Sequence, residues 1–393
     1  MAPNGEKNLG ASSDKDHSRI RGVLSSAFSE KAVYAQEDLL LRHINYMVER
    51  ICSLNGTPTD AVRWLHHCTF DITTDLSLGT SAKTLACDTW SPQAHLMFEG
   101  IKEGITAVEI LRFVPFKYQA FGILIKMFGK ARLQAFEAAV DQARKRMTHA
   151  ATDKGDRRPD FVSYIVKANE TSRALTPSEI TANVALLLDV GSETTASLLA
   201  GCLFHLAKNP HILEKLTSMI RKEFSTPQDI NSKMLARMSY LTAVFSEALR
   251  IYPPVAGATP RLTPPEGSQI DGQYIPGNMS VAINQVAMNR SSRNFNKPDE
   301  FVPERWLGDG CFAEDQPQMC LPFSHGPRAC LGRNLAWAEM RLILGHLLWI
   351  FDVELMPESQ DWSNQKSWFI WDKPDLMIRF KEREIRVNGK VRK

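Results

Sequence analysis

The hydrophobic and polar positions of this chain recur mostly with the period of an α-helix. The longest such stretch runs from Thr176 to Lys208 and is apolar on most faces, which predicts a buried helix. It begins with the letters TPSE, in which Thr176 can cap the helix and Glu179 can reach back to form a capping box. At 1.5 Å per residue this helix would extend roughly 50 Å and cross a whole domain.

Other segments follow helical or strand patterns on either side of this helix. Short runs separated by glycine and proline, reading VAGATPRL, QIDGQYIP, MSVAINQVAM and DLMIRF, predict strands. The chain is therefore expected to be mainly α with a small β-sheet region, in one domain over residues 1–393. Residues 1–16 are expected to be disordered and 382–393 to form a solvated basic tail. The remaining helical patterns cover 17–29, 39–54, 61–78, 134–150, 245–254 and 331–350.

Charge and cysteine content exclude several classes of protein. The formal net charge of +3 is small for 393 residues, and no basic stretch interleaved with aromatics suggests a nucleic-acid partner. Seven dispersed cysteines without paired spacing indicate a reducing compartment. The polar amino terminus contains no signal peptide or transmembrane anchor, and Asp189 and Glu193 argue against a membrane span in the longest helix.

The loop Phe323–Gly332, which reads FSHGPRACLG, carries the clearest candidate chemistry. Cys330 comes just before a helical pattern, where free N–H groups and the helix dipole favour a thiolate, which is a metal ligand. Gly326 allows a tight turn, Gly332 leaves room beside the helix for a flat group, and Arg328 adds a cation. A buried structural cysteine is the plain alternative. A zinc site is a second alternative, although its residues lack C-x-x-C spacing: Cys311, Cys320, His325 and Cys330.

The spacing F-x-x-G-x-R-x-C-x-G resembles the haem-binding loop of the cytochrome P450 family of haem-thiolate monooxygenases. The resemblance extends from His17 to Phe380 and is closest to microsomal enzymes of filamentous fungi, many of which tailor secondary metabolites. It implies haem b, with the Cys330 thiolate as the axial ligand of the iron. It also implies seven haem-binding residues. Four of them meet the propionates, namely His17, Arg21, Arg261 and Arg328, and the other three are Phe323, Gly326 and Gly332.

The letters DVGSETT in the middle of the longest helix form a second candidate site. Gly191 weakens a helix locally, and Glu193 beside Thr194 places an acid and a hydroxyl in an apolar segment. The resemblance implies that these three residues are catalytic, opening a groove for dioxygen and relaying protons to it. Val190 stands where the family usually has a smaller residue, so the groove is expected to be tighter. A purely structural glycine kink is the alternative.

A third motif is expected to be structural. Glu247 and Arg250 lie three residues apart on one predicted helix, and such pairs are usually weak surface pairs. Here they resemble the family's E-x-x-R, which joins the arginine of a later PER segment, found as Arg305. We expect these three residues to hold the loop that positions Cys330.

The resemblance also implies the partners of the reaction. The chain has no dinucleotide or flavin fingerprint, so electrons are expected from NADPH through a separate NADPH-cytochrome reductase, docked on cations near Cys330. The substrate is expected to be a small hydrophobic molecule. The pocket that binds it should be lined by Val255–Thr259 and Trp368–Trp371 and covered by the segment from His95 to Phe128. The expected location is the cytosolic face of the endoplasmic reticulum membrane. The docking cations are Lys297, Arg333 and Arg341.

The resemblance leaves rival functions open. Family members carry a membrane anchor, first strands and a first substrate loop ahead of the helix that begins near His17, and the fold of this chain is expected to lack them. A catalytically inactive, truncated haem-binding remnant is therefore one alternative. A haem-thiolate isomerase or dehydratase that uses no dioxygen is another, although the Glu193 and Thr194 pair argues against it.

Overall fold

The computed structural model confirms a mainly helical chain. It describes residues 6–92, 94–95, 130–152, 158–169, 174–367, 369–383, 385–387 and 390–392. Most of the segment predicted to cover the substrate, and Trp368, lie outside these residues. The helices are α1 Asp14–Leu24, α2 Glu30–Cys52, α3 Ala61–Leu78, α4 Lys130–Thr152, α5 Phe161–Ala168, α6 Pro177–Lys208, α7 Pro210–Glu223, α8 Ser232–Ala236, α9 Ser239–Ile251, α10 Gln285–Asn289 and α11 Arg333–Ile350.

Helices α3 and α6 pack against each other in the middle of the molecule. Helix α6 begins as predicted, because the Thr176 hydroxyl accepts the N–H of Glu179 and the Glu179 carboxylate accepts the N–H of Thr176. Every residue of α3 except Arg63 is buried, so this helix is a core element and not the amphipathic one that its pattern predicted. The hydroxyls of its three threonines are satisfied locally or by α6, as when Thr69 donates to the Ser192 carbonyl at 3.0 Å.

Helix α6 is also the one described helix long and apolar enough to cross a membrane by composition. Of its most apolar 18-residue window, 72% is buried inside the protein. Its apolar character is therefore accounted for by its place in the core, between α3, α9 and α11.

The sheets are small and antiparallel. A three-stranded sheet has the order β1-β7-β6, in which Phe351 pairs with Glu382 and Thr59 with Ile378. The other strands form three pairs, β2 with β5, β3 with β4 and β8 with β9. Their bounds are β1 Thr59–Asp60, β2 Arg261–Leu262, β3 Ser268–Ile270, β4 Gln273–Ile275, β5 Ser280–Val281, β6 Phe351–Leu355, β7 Met377–Glu382, β8 Ile385–Val387 and β9 Lys390–Arg392.

Two local predictions need correction, and the structure adds one detail in the tail. The stretch 279–288 was predicted as strand throughout, but its end forms α10, because the Asn284 side chain caps that turn by accepting the N–H of Ala287. The prediction of disorder is wrong for the described residues before His17. Ser13 caps α1, and the Leu9 N–H donates to Asn183 of α6 at 2.8 Å. The basic tail contains the β8–β9 hairpin.

A buried acid joins α11 to α6. Glu339 is 1% exposed, and burial raises its pKa to about 8, although a hydrogen bond with the Thr195 side chain acts in the opposite direction. Its Oε1 atom has no hydrogen-bond partner among the described residues. A carboxyl group in such surroundings is stable only in its neutral form.

This acid predicts a pH-dependent stability. The unfolded chain releases the Glu339 proton near pH 4.5 and the folded chain near pH 8, so the free energy of unfolding falls as pH rises between these values. Glu339→Gln keeps the shape and removes the titration. We expect the free energy of unfolding of the variant, relative to that of the wild type, to be about 2–3 kcal/mol higher at pH 7 than at pH 5, as measured by urea unfolding. If the difference between variant and wild type is the same at both pH values, Glu339 is ionised in the folded protein.

Candidate active site

The loop before α11 leaves Cys330 exposed. The Cys330 N–H donates to the Phe323 carbonyl at 2.8 Å, which closes the loop on itself. Gly326, at its bend, has a φ of +77°, a conformation that residues with a Cβ rarely adopt. Cys330 is a free, exposed cysteine. A Cβ built on Gly332 would meet the Cys330 Sγ at 4.0 Å and no other nearby group, so the space beside the sulfur is open.

The sequence predicted a thiolate at Cys330, and the structure gives opposing influences on its charge. Desolvation by the surrounding protein raises the pKa of the Cys330 thiol, whereas the Gly332 N–H and the cations of Arg21 and Arg333 lower it. The helix itself begins only at Arg333, with Gly332 as N-cap, so its first N–H groups lie farther on than expected. The free thiol is therefore protonated at neutral pH, and a metal ion would have to displace that proton.

Two arginines and a histidine gather beside the cysteine loop. Arg21 of α1 donates to the Ala329 carbonyl at 2.7 Å. Arg328 donates to the Ser12 carbonyl and to Asp14, an exposed carboxylate, both at 2.8 Å. His17 is 5% exposed, and burial, with Arg328 and Arg21 nearby, lowers its pKa. His17 is therefore a neutral hydrogen-bonding group, and the positive charge predicted here comes from the two arginines.

The other predicted haem residues lie in different surroundings. Arg261 is exposed on β2, and among the described residues its hydrogen bond goes to the Pro260 carbonyl next to it. The structure does not join it to Arg21 or Arg328. The Phe323 ring packs between Trp337, with ring centroids 6.3 Å apart, and the Arg333 guanidinium, 5.7 Å from its centroid.

Helix α6 presents an open face as well. Val190 lies in the middle of this buried helix and is nevertheless 48% exposed. Thr194, one turn later, is on the same face and is partly exposed, with its hydroxyl donating to the Val190 carbonyl at 2.9 Å. Gly191 does not interrupt the helix. A Cβ there would approach the Thr73 Cγ2 to 3.1 Å, so glycine at this position lets α3 and α6 pack closely.

Glu193 points to a different set of groups. Its side chain is 4% exposed, and its Oε1 atom lies 2.5 Å from the Lys373 Nζ and accepts the Ser197 hydroxyl at 2.9 Å. Its Oε2 atom is 3.4 Å from the His66 Nδ1. The predicted acid and hydroxyl are thus neighbours in sequence, but the hydrogen bonds of one do not reach the other.

The E-x-x-R motif forms the predicted network. Both Glu247 oxygens accept from Arg250 at 2.8 Å, and Arg305 donates to the same carboxylate at 3.0 Å. The Arg250 side chain is 0% and the Arg305 side chain 1% exposed. Arg250 continues to three carbonyls of the chain that leads into the cysteine loop, and Arg305 pairs with Asp315. The network therefore ties α9 to that segment.

Sequence reasoning missed the partners that complete these sites. Asp315 and Trp306 join the Glu247 network, and Lys373 and His66 surround Glu193. None of these four residues is part of a recognised motif. Only the folding of the chain brings each of them into contact with Glu247 or Glu193, or with the partners of these acids. The alternative of a zinc site is not supported, because no three metal-binding side chains come together among the residues that the structure describes.

The donor chemistry of the cysteine loop fits a haem. A single soft sulfur donor suits haem iron, and guanidinium groups suit the carboxylates of the haem propionates. Open space lies beside the Cys330 sulfur and along the exposed face of α6 at Val190. The residues present are thus compatible with a large flat anionic cofactor at this loop.

Comparison with known proteins gives an independent answer. The model of the family described as Cytochrome P450 matches residues 2–380. The chain is 82% identical to a fusicoccadiene 8-ol C-16-hydroxylase of Phomopsis amygdali, over 98% of this chain and 73% of the relative. It is 48% identical to a protein of the same description from Alternaria brassicicola, over 97% and 77%. The cytochrome P450 monooxygenase astA of Talaromyces wortmannii is 39% identical over 94% and 74%.

These matches agree with the helical fold, the cysteine loop and the buried Glu247 network. The relatives are fungal hydroxylases and monooxygenases, which confirms the class of reaction and the secondary-metabolite setting expected from the sequence. The family also implies a haem-thiolate iron, a small-molecule substrate and a redox partner. The chain therefore belongs to the cytochrome P450 family and is a haem-dependent monooxygenase.

Proposed function

We propose that this chain hydroxylates fusicoccadiene 8-ol, or a closely similar hydrophobic alcohol, at C-16. The observation that carries the proposal is the 82% identity, over 98% of the chain, to a relative named for that reaction. A second relative with the same name, from another fungus, is 48% identical. The exposed apolar Val190 on the open face of α6 suits a hydrophobic substrate.

The proposal is tested by turnover. The purified chain, loaded with haem, is mixed with NADPH, an NADPH-cytochrome reductase and fusicoccadiene 8-ol, and the product is identified by mass spectrometry and NMR. We expect one hydroxyl group at C-16. Oxidation at another carbon would support the proposed substrate but refute the proposed position, C-16. No product, under conditions in which the haem is reduced, would refute it.

At the cysteine loop, Cys330 would bind the haem iron through its sulfur, and Arg21, Arg328 and Arg261 would bind the propionates. His17 would add a hydrogen bond. Phe323, Gly326 and Gly332 would shape the loop against the haem. Bound through sulfur, the haem supplies the oxidising power for hydroxylation of an unactivated carbon. The protein holds the cofactor, orients the substrate and moves protons.

Electrons would come from NADPH through a separate reductase at the endoplasmic reticulum membrane. Lys297 and Arg333 are exposed and suit its docking surface. Arg341 suits it less because it is partly buried, with its guanidinium 4.6 Å from the Trp337 ring centroid and donating to the Thr242 hydroxyl. We therefore place the reductase on the surface around the cysteine loop that presents Lys297 and Arg333, and we leave Arg341 out of this surface.

Glu193 would supply protons to Thr194, and Thr194 would deliver them to the open face of α6. Gly191 would allow α3 to pack closely against α6 beside these two residues.

Thr194→Ala removes the hydroxyl, and we expect product formed per NADPH to fall by roughly 10²-fold, in the range of general acid–base catalysis. Thr148→Ala is the matched control, since Thr148 makes the same hydrogen bond to the carbonyl one turn earlier at an exposed position of α4. Equal yields from the two variants would exclude Thr194 from proton delivery.

A further inference from the structure

The ion pair between Lys373 and Glu193 lies in the core, beside the proposed proton route. The Lys373 Nζ is 2.5 Å from the Glu193 Oε1, and the two side chains are 7% and 4% exposed. Lys373 also donates to the Trp371 carbonyl at 3.2 Å, which fixes its direction. A buried carboxylate needs such a counter-charge, because desolvation otherwise favours its neutral form.

The other groups that face Glu193 do not supply this charge. Burial lowers the pKa of His66 on α3 well below its ordinary value, so its ring is neutral. Tyr252, at the end of α9, is also buried, and its raised pKa keeps the phenol protonated. Ser197 offers a neutral hydroxyl. Among the groups described here, Lys373 is therefore the cation that the Glu193 carboxylate meets.

Lys373 comes from a tightly held turn. Phe369 in this turn has a φ of +85°, a conformation that is rare for a bulky side chain and needs support from the surrounding structure. The Gly257 N–H donates to the Phe369 carbonyl at 3.0 Å, and a Cβ on Gly257 would come within 2.8 Å of that residue. Trp371 stacks on Tyr252, with ring centroids 4.8 Å apart, and donates to the Pro253 carbonyl. These contacts fix the position of Lys373.

We propose that Lys373 is a positioning residue, whose buried ion pair keeps Glu193 charged and fixes its carboxylate, so that this group can take up a proton and pass it on toward Thr194. This inference rests on the proposed role of Glu193 and Thr194 in proton delivery. Lys373 itself touches neither substrate nor cofactor in this account.

The test is the charge state of Glu193 in the haem-loaded protein, read from the infrared C=O stretch of a protonated carboxyl group. Lys373→Met should gain this band, and the double variant with Glu193→Gln should lose it again. Lys373→Arg should show no band, and neither should Lys366→Met, which changes an exposed lysine just before this turn. Product per NADPH should fall in Lys373→Met toward the level of Glu193→Gln, because a carboxyl group that stays protonated cannot take up and pass on the next proton, and it should recover in Lys373→Arg.

The absence of a new band in folded Lys373→Met would overturn the inference. Should that variant not fold, the double variant decides. Its folding would show that the isolated carboxylate caused the damage, as proposed, and its failure would show that Lys373 only packs. Each result is independent of the proposed function, because the turnover of the wild-type protein and the spectrum of its haem are measured separately.

Discussion

Glu247→Ala is expected to lower the free energy of unfolding by about 3–5 kcal/mol, because it leaves two buried arginines without their shared anion. Arg250 and Arg305 both bind the Glu247 carboxylate, and their side chains are at most 1% exposed. The Trp306 indole N–H and the Val302 N–H lose the same acceptor. Since the network ties α9 to the segment before the cysteine loop, we also expect weaker haem retention. Chemical unfolding monitored by circular dichroism gives the first quantity.

Glu300→Gln is the control for this prediction. Glu300 is exposed and pairs with Lys297 at 3.1 Å, and exposed pairs contribute about 0–1 kcal/mol. Its carbonyl, which accepts from Arg250, is unchanged by the substitution. A loss in Glu247→Ala no larger than the loss in Glu300→Gln would mean that the arginines find other partners and that the network does not hold the loop.

Cys330→Ala is expected to abolish hydroxylation, because the proposed iron ligand is a single sulfur atom without a substitute nearby. Neither Cys320 nor Cys311 belongs to a metal-binding cluster among the described residues. Haem binding should also weaken, and in the wild type it should strengthen as pH rises, since iron must displace the proton of a thiol whose pKa burial has raised. Haem content after gel filtration and turnover measure both effects.

Cys311→Ala removes another exposed thiol of the chain and serves as the control. It should retain haem and activity. Loss of both in Cys311→Ala would mean that cysteine substitutions in this region act through folding and not through the ligand.

The sequence predicted the features that depend on local chemistry. Thr176 and Glu179 form the capping box because both partners lie within one turn. The Glu247 and Arg250 pair could be predicted for the same reason, and Arg305 could be predicted from the PER motif. The cysteine loop was recognised because each of its residues has a fixed spacing.

The sequence could not predict contacts that only the packing of distant elements creates. Lys373 meets Glu193 across 180 positions, in a turn without a motif. Gly191 was expected to weaken α6, but Thr73 of α3 lies against it and the helix continues. His17 was expected at the haem propionates, and burial beside two arginines makes it a neutral partner there. In each case tertiary contact changes the role that local sequence suggested.

The central claim is that Cys330 binds haem iron as a thiolate, and the dithionite-reduced spectrum with carbon monoxide tests it most directly. We expect the purified chain to show a strongly red-shifted Soret band, and Cys330→Ala to lack it. A red-shifted band that persists in Cys330→Ala, or an unshifted band in a wild-type chain that retains its haem, would contradict the assignment of Cys330 as the iron ligand.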